Sequence, residues 1–328
     1  MHMTYQIGSE NWWRLRRLQL SKVGDFLRNW TEEITIRHNV TAKELEPVYR
    51  FVHDRYIFAQ IIEPQPDNMW ITKFHLLPQT KVFTAYKKDD INYETPICTT
   101  TVVFDTEEFK LPSDNIYPDA LDKLRKEGRK LVEFCSLAAL PNLEARSAYF
   151  PIFKLLYKYV REQGFTDVII TIQPKHVGFY RKVLLFNCFD ARPYPRFKGV
   201  KAQMAHLNLD VAQEAYKKVY GNFPGHFNLY DFFTSELEFK FNFRKIYKEI
   251  IPDEDFHQLF VEGRMWKTLT QEEKDFILKQ REAQKIEFKF NLRTLEEKFK
   301  TNILPKRHLK HLINKTNLTK IAYKSPRL

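Results

Sequence analysis

From Thr31 onward the chain switches repeatedly between two spacings of apolar residues. In ITIRHN (34–39), KVFTAYKK (81–88), ICTTTVVFD (97–105), LVEFCSLAAL (131–140), DVIITI (167–172) and VKAQMAHLNLD (200–210), apolar and β-branched residues alternate or run together, which predicts strands. Between them the spacing is helical. One helix opens at the capping box Thr41/Glu44 and runs to about Ala59, and PDALDKLRKEG stops at Gly128. A third runs from Ser147 to Gln163 before Gly164, with Pro151 tolerable only near its first turn, and HVGFYRKVLLF (176–186) reads as a fourth. The order β–α–β–β–α–β–α–β–α–β describes an α/β sheet rather than separate helical and strand blocks.

Outside this region the pattern changes. Residues 1–30 set Trp12, Trp13, Leu15, Leu18 and Leu20 among Arg14, Arg16, Arg17 and Lys22 at spacings a helix sorts into two faces. Such a helix packs on the following domain or lies on a membrane surface. Beyond Asp210 come KFNFRKIYKEII and a helix capped by Thr270 with Glu273, and nothing there carries a chemistry signature. The expected organisation is an amphipathic segment (1–30), an α/β domain (31–210), a mainly helical C-terminal extension (211–300) and a basic tail (301–328).

Composition narrows the function classes. With 328 residues and 43% hydrophobic content the chain can bury a large core, and its densest apolar run, Val168–Ile172, is far shorter than the roughly 20 residues that cross a bilayer. No basic and apolar leader is visible, so a cytoplasmic location is expected. Three cysteines, Cys98, Cys135 and Cys188, show neither disulfide nor metal-ligand spacing, and no metal site is expected. The net charge of +12 points to an acidic partner or surface, and the acid-free tail supplies seven of those charges through Lys306, Arg307, Lys310, Lys315, Lys320, Lys324 and Arg327. No DNA- or RNA-binding motif accompanies it, so no specific nucleic acid is expected.

Four stretches in order resemble the FeeM-like N-acyl amino acid synthases, relatives of the acyl-homoserine lactone synthases within the GNAT fold. They are VYRFVHDRY (48–56), LPSDNIYPDALDKLRKEGRKLVEFCSLAAL (111–140), the helix to Gly164 and QPKHVGFYRKVLLF (173–186). The second is the most specific: LP-x-D, then an LR-x-x-GR helix, then a strand bearing an acid. The resemblance implies a GNAT fold with a mixed central sheet, and transfer of a fatty acyl group from acyl carrier protein to the amine of an amino acid. No bound cofactor is implied. The co-substrate is a phosphopantetheine thioester, with acyl-CoA as the alternative donor. A long-chain product would give the amphipathic segment and the basic tail a use at an anionic inner-membrane surface, peripherally bound. Two rivals stand beside it: a CoA-dependent GNAT acting on another amine, and a non-catalytic GNAT-fold protein that binds nucleic acid or membrane.

Aminolysis of a thioester needs a base for the ammonium, donors for the tetrahedral oxyanion and a proton for the departing thiolate. Glu133, an acid in an apolar central strand, is the candidate base; its structural alternative is a salt bridge to Arg50 or Arg55, which are also candidate substrate-binding residues. The resemblance assigns the oxyanion and pantetheine donors to the backbone of Cys135, Ser136, Leu137 and Ala138, where the central strand splays from its neighbour. His176 has a pKa suited to proton transfer, and Tyr180 lies where GNAT enzymes commonly place a tyrosine that protonates the leaving sulfur. The related lactone synthases usually carry a serine and an arginine where this chain has Cys135 and Ser136, and Leu185 stands where relatives often have glycine. NLEARSAYFP (142–151) lacks the glycine-rich turn that cradles a CoA pyrophosphate, which favours a carrier protein. Arg146, Lys154, Lys158 and Arg161 are the candidate docking residues for its acidic face.

Overall fold

The computed structural model describes residues 30–237 and 241–300, with side chains except at 143, 144, 226 and 287–300. Residues to Ile277 form one compact unit and those from Leu278 a second. Among the described residues, the second unit is the continuation of the helix Gln271–Lys300. The amphipathic segment 1–30, apart from Trp30, and the basic tail 301–328 lie outside the described residues. No described helix is long and apolar enough to cross a membrane.

The first unit is built on a mixed sheet ordered β1-β2-β3-β4-β5-β8-β6, with β7 paired to β8. Its strands are β1 (Ile34–Asn39), β2 (Lys81–Lys87), β3 (Pro96–Phe104), β4 (Leu131–Ala139), β5 (Asp167–Ile172), β6 (Asn187–Cys188), β7 (Arg192–Pro193) and β8 (Lys201–Asn208). All neighbouring pairs are antiparallel except β4 with β5, which run parallel. The helices that frame the sheet are α1 (Ala42–Phe58), α2 (Pro118–Lys126), α3 (Tyr149–Glu162), α4 (Val177–Lys182) and α5 (Leu209–Tyr220). The α/β order read from the sequence is therefore present, as is a helical C-terminal part. Two differences are local. The two-residue strands β6 and β7 are too short to leave a period, and α4 stops at Lys182 because Leu185 sits at φ +58°.

Both faces of the sheet are covered. Every residue of β3 is buried, as expected of a strand packed on two sides. Val132, Phe134, Val168 and Ile170 face a core that includes α3 and Tyr216, Phe233 and Phe243, whereas Leu131, Ile169 and Met204 face a second core with Leu45 and Tyr49 of α1, Tyr117, Leu121 of α2, and Phe256, Phe260 and Ile277. Residues 211–277 thus contribute to both cores. The abundant phenylalanines serve this packing; Phe153 alone lies 5.6 to 6.0 Å from the rings of Phe134, Tyr149, Phe186 and Phe233.

The LP-x-D and LR-x-x-GR motifs are a clamp. Arg125 binds Asp105 and Asp114 through two hydrogen bonds each, at 2.7 to 2.8 Å, and Asp122 at 2.7 Å. Asp114 also accepts from Leu111 N at 2.8 Å, so the short turn Pro112–Asn115 is fixed at its base. Four residues later, past the end of α2, Arg129 binds the fully buried Asp167 at 2.6 Å and Asp210 at 2.6 Å, tying the entry to β4 to β5 and to the start of α5.

Replacing Arg125 by Gln leaves Asp105 and Asp114 facing each other without a cation. A partly buried partner lost in this way costs about 2 to 3 kcal/mol, below the roughly 3 to 5 of a fully buried pair; Arg125 is 21% exposed. Urea unfolding at neutral pH measures it, and an unchanged midpoint refutes the clamp.

Candidate active site

Side-chain alternation decides where Glu133 points. Val132 and Phe134 face the α3 core and Leu131 the α1 core, so Glu133 projects to the α1 side. On β5, which pairs in parallel with Glu133 opposite Ile169, Thr171 shares that face. The Pro112–Asn115 turn completes the setting. Glu133 accepts the Ser113 backbone N–H on Oε2 and the Ser113 hydroxyl on Oε1, both at 2.8 Å, and Thr171 Oγ1 lies 3.5 Å from Oε1. The Ser113 and Thr171 hydroxyls are in direct contact. Neither Arg50 nor Arg55 pairs with Glu133, which corrects the salt-bridge alternative. At 1% exposure and without a cation, burial pushes the Glu133 pKa up to about 7; the Ser113 donors oppose the rise and the nearby Asp114 charge adds to it.

Just beyond Glu133 the sheet opens. The β4–β5 ladder ends at Phe134 and Ile170, so Cys135 to Ala139 have no strand partner on that side. On the other side the register with β3 jumps between Thr99 and Thr101, and Ser136 takes φ +50°, the signature of a bulge. Thr100 donates its hydroxyl to Cys135 O at 3.3 Å at that irregularity. Burial, then the Glu133 charge, raises the Cys135 pKa, so its thiol stays neutral.

Tyr180 is buried on α4 and donates its hydroxyl to the Tyr149 hydroxyl at 3.1 Å; burial raises its pKa and keeps it protonated. His176 caps the same helix at the surface, and loss of solvent around the ring, then the charges of Lys175 and Arg146, lower its pKa. Arg50 bonds Glu46 and Asp67 O. Arg55 lies over the exposed ring of Phe58 at 4.5 Å.

Of the four docking candidates, Arg146 is exposed, Lys158 donates to Thr234 O at 3.2 Å, and Arg161 to Leu209 O at 2.6 Å. Lys154 must be corrected: it is fully buried and donates to Ser235 Oγ and Glu236 O, both at 2.9 Å, so it cannot meet a partner. Its charge looked solvated in the sequence because nothing there reveals that the segment after Leu229–Thr234 covers the outer face of α3.

Several site residues escaped the sequence reading. Ser113 sat inside a recognised motif, and Thr171 shares the period-two face of Glu133; both were findable. Tyr56 closes the motif VYRFVHDRY and was findable too; Arg196, Tyr194 and Trp70 were not, because they come from a loop without periodicity and from a Pro- and Asp-rich connection. Among the described residues no cluster of three or more His, Cys, Asp or Glu is arranged to hold a metal.

Residues 47–208 match the family model described as N-acyl amino acid synthase FeeM. No curated protein matches the chain in sequence. Among solved structures, FeeM, an N-acyl amino acid synthase from uncultured soil microbes, is similar at 23% identity and a TM-score of 0.48 over 55% of this chain and 93% of that one. The CoA-dependent acyl-homoserine lactone synthase BjaI is similar at 12% and 0.38 over 56% and 89%. An N-acetyltransferase from Staphylococcus aureus Mu50 gives 12% and 0.38 over 54% and 98%.

The Glu133 setting makes a prediction about protons. A folded pKa of about 7 against an ordinary 4.5 means the folded state holds this proton more tightly, so the contribution is complete below about 4.5 and is lost as pH rises through 7. Ser113→Ala removes a donor to the carboxylate, and its titration, followed by carboxyl-carbon NMR, moves further upward. A downward move or none contradicts the assignment.

Proposed function

We propose that this chain, whose residues 47–208 match the model of the FeeM N-acyl amino acid synthases, is an N-acyltransferase that moves a long fatty acyl group from an acyl carrier protein to the amine of an amino acid. The observation that carries the catalytic part of this reading is the position of Glu133: a buried carboxylate without a cation, beside the point where β4 leaves β5.

In this reading the thioester lies along Cys135–Ala138, whose backbone N–H groups have no partner on β5 and donate to the carbonyl oxygen as it becomes an oxyanion. Glu133 takes the proton from the substrate ammonium, with the Ser113 and Thr171 hydroxyls as the relay. The free amine attacks the thioester carbon and the C–N bond forms; collapse of the tetrahedral intermediate breaks the C–S bond as the nitrogen sheds its second proton, which replaces the one Tyr180 gives to the sulfur, and Glu133 releases its own proton to solvent. Tyr180, held protonated by burial, returns a proton to the thiolate, while His176 at the head of α4, its pKa lowered, offers a neutral ring able to accept a proton. A pKa near 7 suits Glu133 to take a proton at neutral pH, where a surface glutamate is too weak a base.

Two features favour a carrier protein as donor. The turn after β4 has no glycine to bring backbone N–H groups around a pyrophosphate, and Arg146, Lys158 and Arg161 offer positive charge along α3 and the turn before it.

The test is incubation of the full chain with palmitoyl carrier protein, and separately with palmitoyl-CoA, plus a mixture of amino acids, with N-acyl products read by mass spectrometry. Product from the carrier-protein donor is expected, and Glu133→Gln should lower its rate by about 100-fold or more, the usual contribution of a general base. Product from CoA alone reverses the donor assignment, and no product from either donor sinks the reading.

A further inference from the structure

An amino acid brings two charged ends to this site, and Glu133 accounts only for the amine. The half-buried Arg196, in the one-turn helix Pro195–Phe197 between β7 and β8, has no hydrogen-bond or ion-pair partner among the described residues. Its guanidinium carbon lies 5.4 Å from the centroid of the Trp70 ring. Trp70 in turn belongs to an aromatic box, 5.4 Å from Tyr56 and 5.5 Å from Phe197, and packs in one cluster with Ala138 of the splayed part of β4. Contact with a ring uses none of the guanidinium N–H groups in hydrogen bonds, and its N–H edges match a carboxylate in the two-bond manner.

The loop is fixed in this position. Tyr194, two residues before Arg196, donates its hydroxyl to Pro112 O at 3.3 Å, and Pro112 adjoins the Ser113 that holds Glu133. Lys198, two residues after it, pairs with Glu63 at 2.5 Å. Phe197, the residue next to Arg196, packs 5.9 Å from the Tyr56 ring and 4.7 Å from the Tyr194 ring, so the loop lies against the end of α1. Arg50 is paired, and Arg55 is directed onto an exposed ring.

We propose that Arg196 binds the α-carboxylate of the acceptor, so that the enzyme grips an amino acid at both ends, ammonium toward Glu133 and carboxylate on Arg196, and rejects amines that lack the acid. The inference rests on the synthase reading and adds the residue that makes its acceptor an amino acid rather than any amine.

The experiment is steady-state kinetics with palmitoyl donor and two acceptors: the standard amino acid that gives most product, and the primary amide of that amino acid, which keeps the amine and side chain but not the anion. Wild type should prefer the acid. Arg196→Gln should raise KM for the acid by roughly 10- to 100-fold, the size of a lost charged hydrogen-bond pair, and leave KM for the amide and for the donor within a factor of about two. Arg196→Lys, which keeps the charge but not the fork, should fall between, and far-UV circular dichroism confirms that each variant is folded. Equal losses with acid and amide, or a rise confined to the donor KM, overturn the assignment while the synthase reading stands. Wild type that acylates no amino acid overturns that reading first and this one with it.

Discussion

The guanidinium of Arg125 is the point on which the site depends. It faces Asp105 at the end of β3, Asp114 in the turn and Asp122 on its own helix, and so joins three pieces of chain around one planar cation. Held at its base, the turn delivers the Ser113 N–H and hydroxyl onto the two oxygens of a buried carboxylate that has the Thr171 hydroxyl as a further neighbour. A pKa about 7 in place of 4.5 corresponds to roughly 3 kcal/mol of penalty for keeping Glu133 ionised at neutral pH. Without the two Ser113 donors that penalty grows, and the carboxylate would no longer be a usable base near pH 7.

The two acids of the LP-x-D and strand motifs lie close together and live in opposite surroundings. Asp114 meets Arg125 through both oxygens, while Glu133 is given hydroxyl and amide donors and no cation at all. Environment thus sets the two apart: one carboxylate is paired with a cation, and burial raises the pKa of the other. The same logic separates the arginines. Arg125 and Arg129 each bind two or more carboxylates, and Arg196 is left with only a ring contact. A cation kept without its anion in a half-buried setting is a standing demand for a negatively charged ligand.

How much of this was legible follows from where periodicity exists. Strands and helices with two-sided or one-sided burial leave a spacing in the sequence, and both capping boxes form: Glu44 and Thr41 exchange bonds, and so do Glu273 and Thr270. Glu133 was legible because an acid in an apolar strand demands an explanation. Ser113 lies within the LP-x-D motif, but its role depends on the turn being folded back onto β4, which the sequence does not display. Lys154 misled because nearly the whole of α3 is enclosed, including the side that would face water were 229–236 not laid over it. The loop of Arg196 has neither period nor motif, and its importance lies in what the guanidinium does not touch, which no sequence displays.

Strain completes the account. Ser136 and Leu185 both adopt left-handed backbone angles, which cost non-glycine residues on the order of 1 kcal/mol or more each. At Ser136 the turn gives a bulge that takes the strand off its ladder with β3 just after β5 has departed, so that one short stretch of backbone is released on both sides. At Leu185 the turn closes α4: the Phe186 N–H returns to Tyr180 O at 3.0 Å, and Phe186 then packs 5.7 Å from the Tyr180 ring. A glycine there would relieve the angle, but the leucine packs against the α3-side core, and that burial offsets the strain. The two unfavourable residues therefore stand beside the unpaired stretch of β4 and beside the end of the helix that carries Tyr180. The surrounding core, not local preference, fixes both before any substrate arrives.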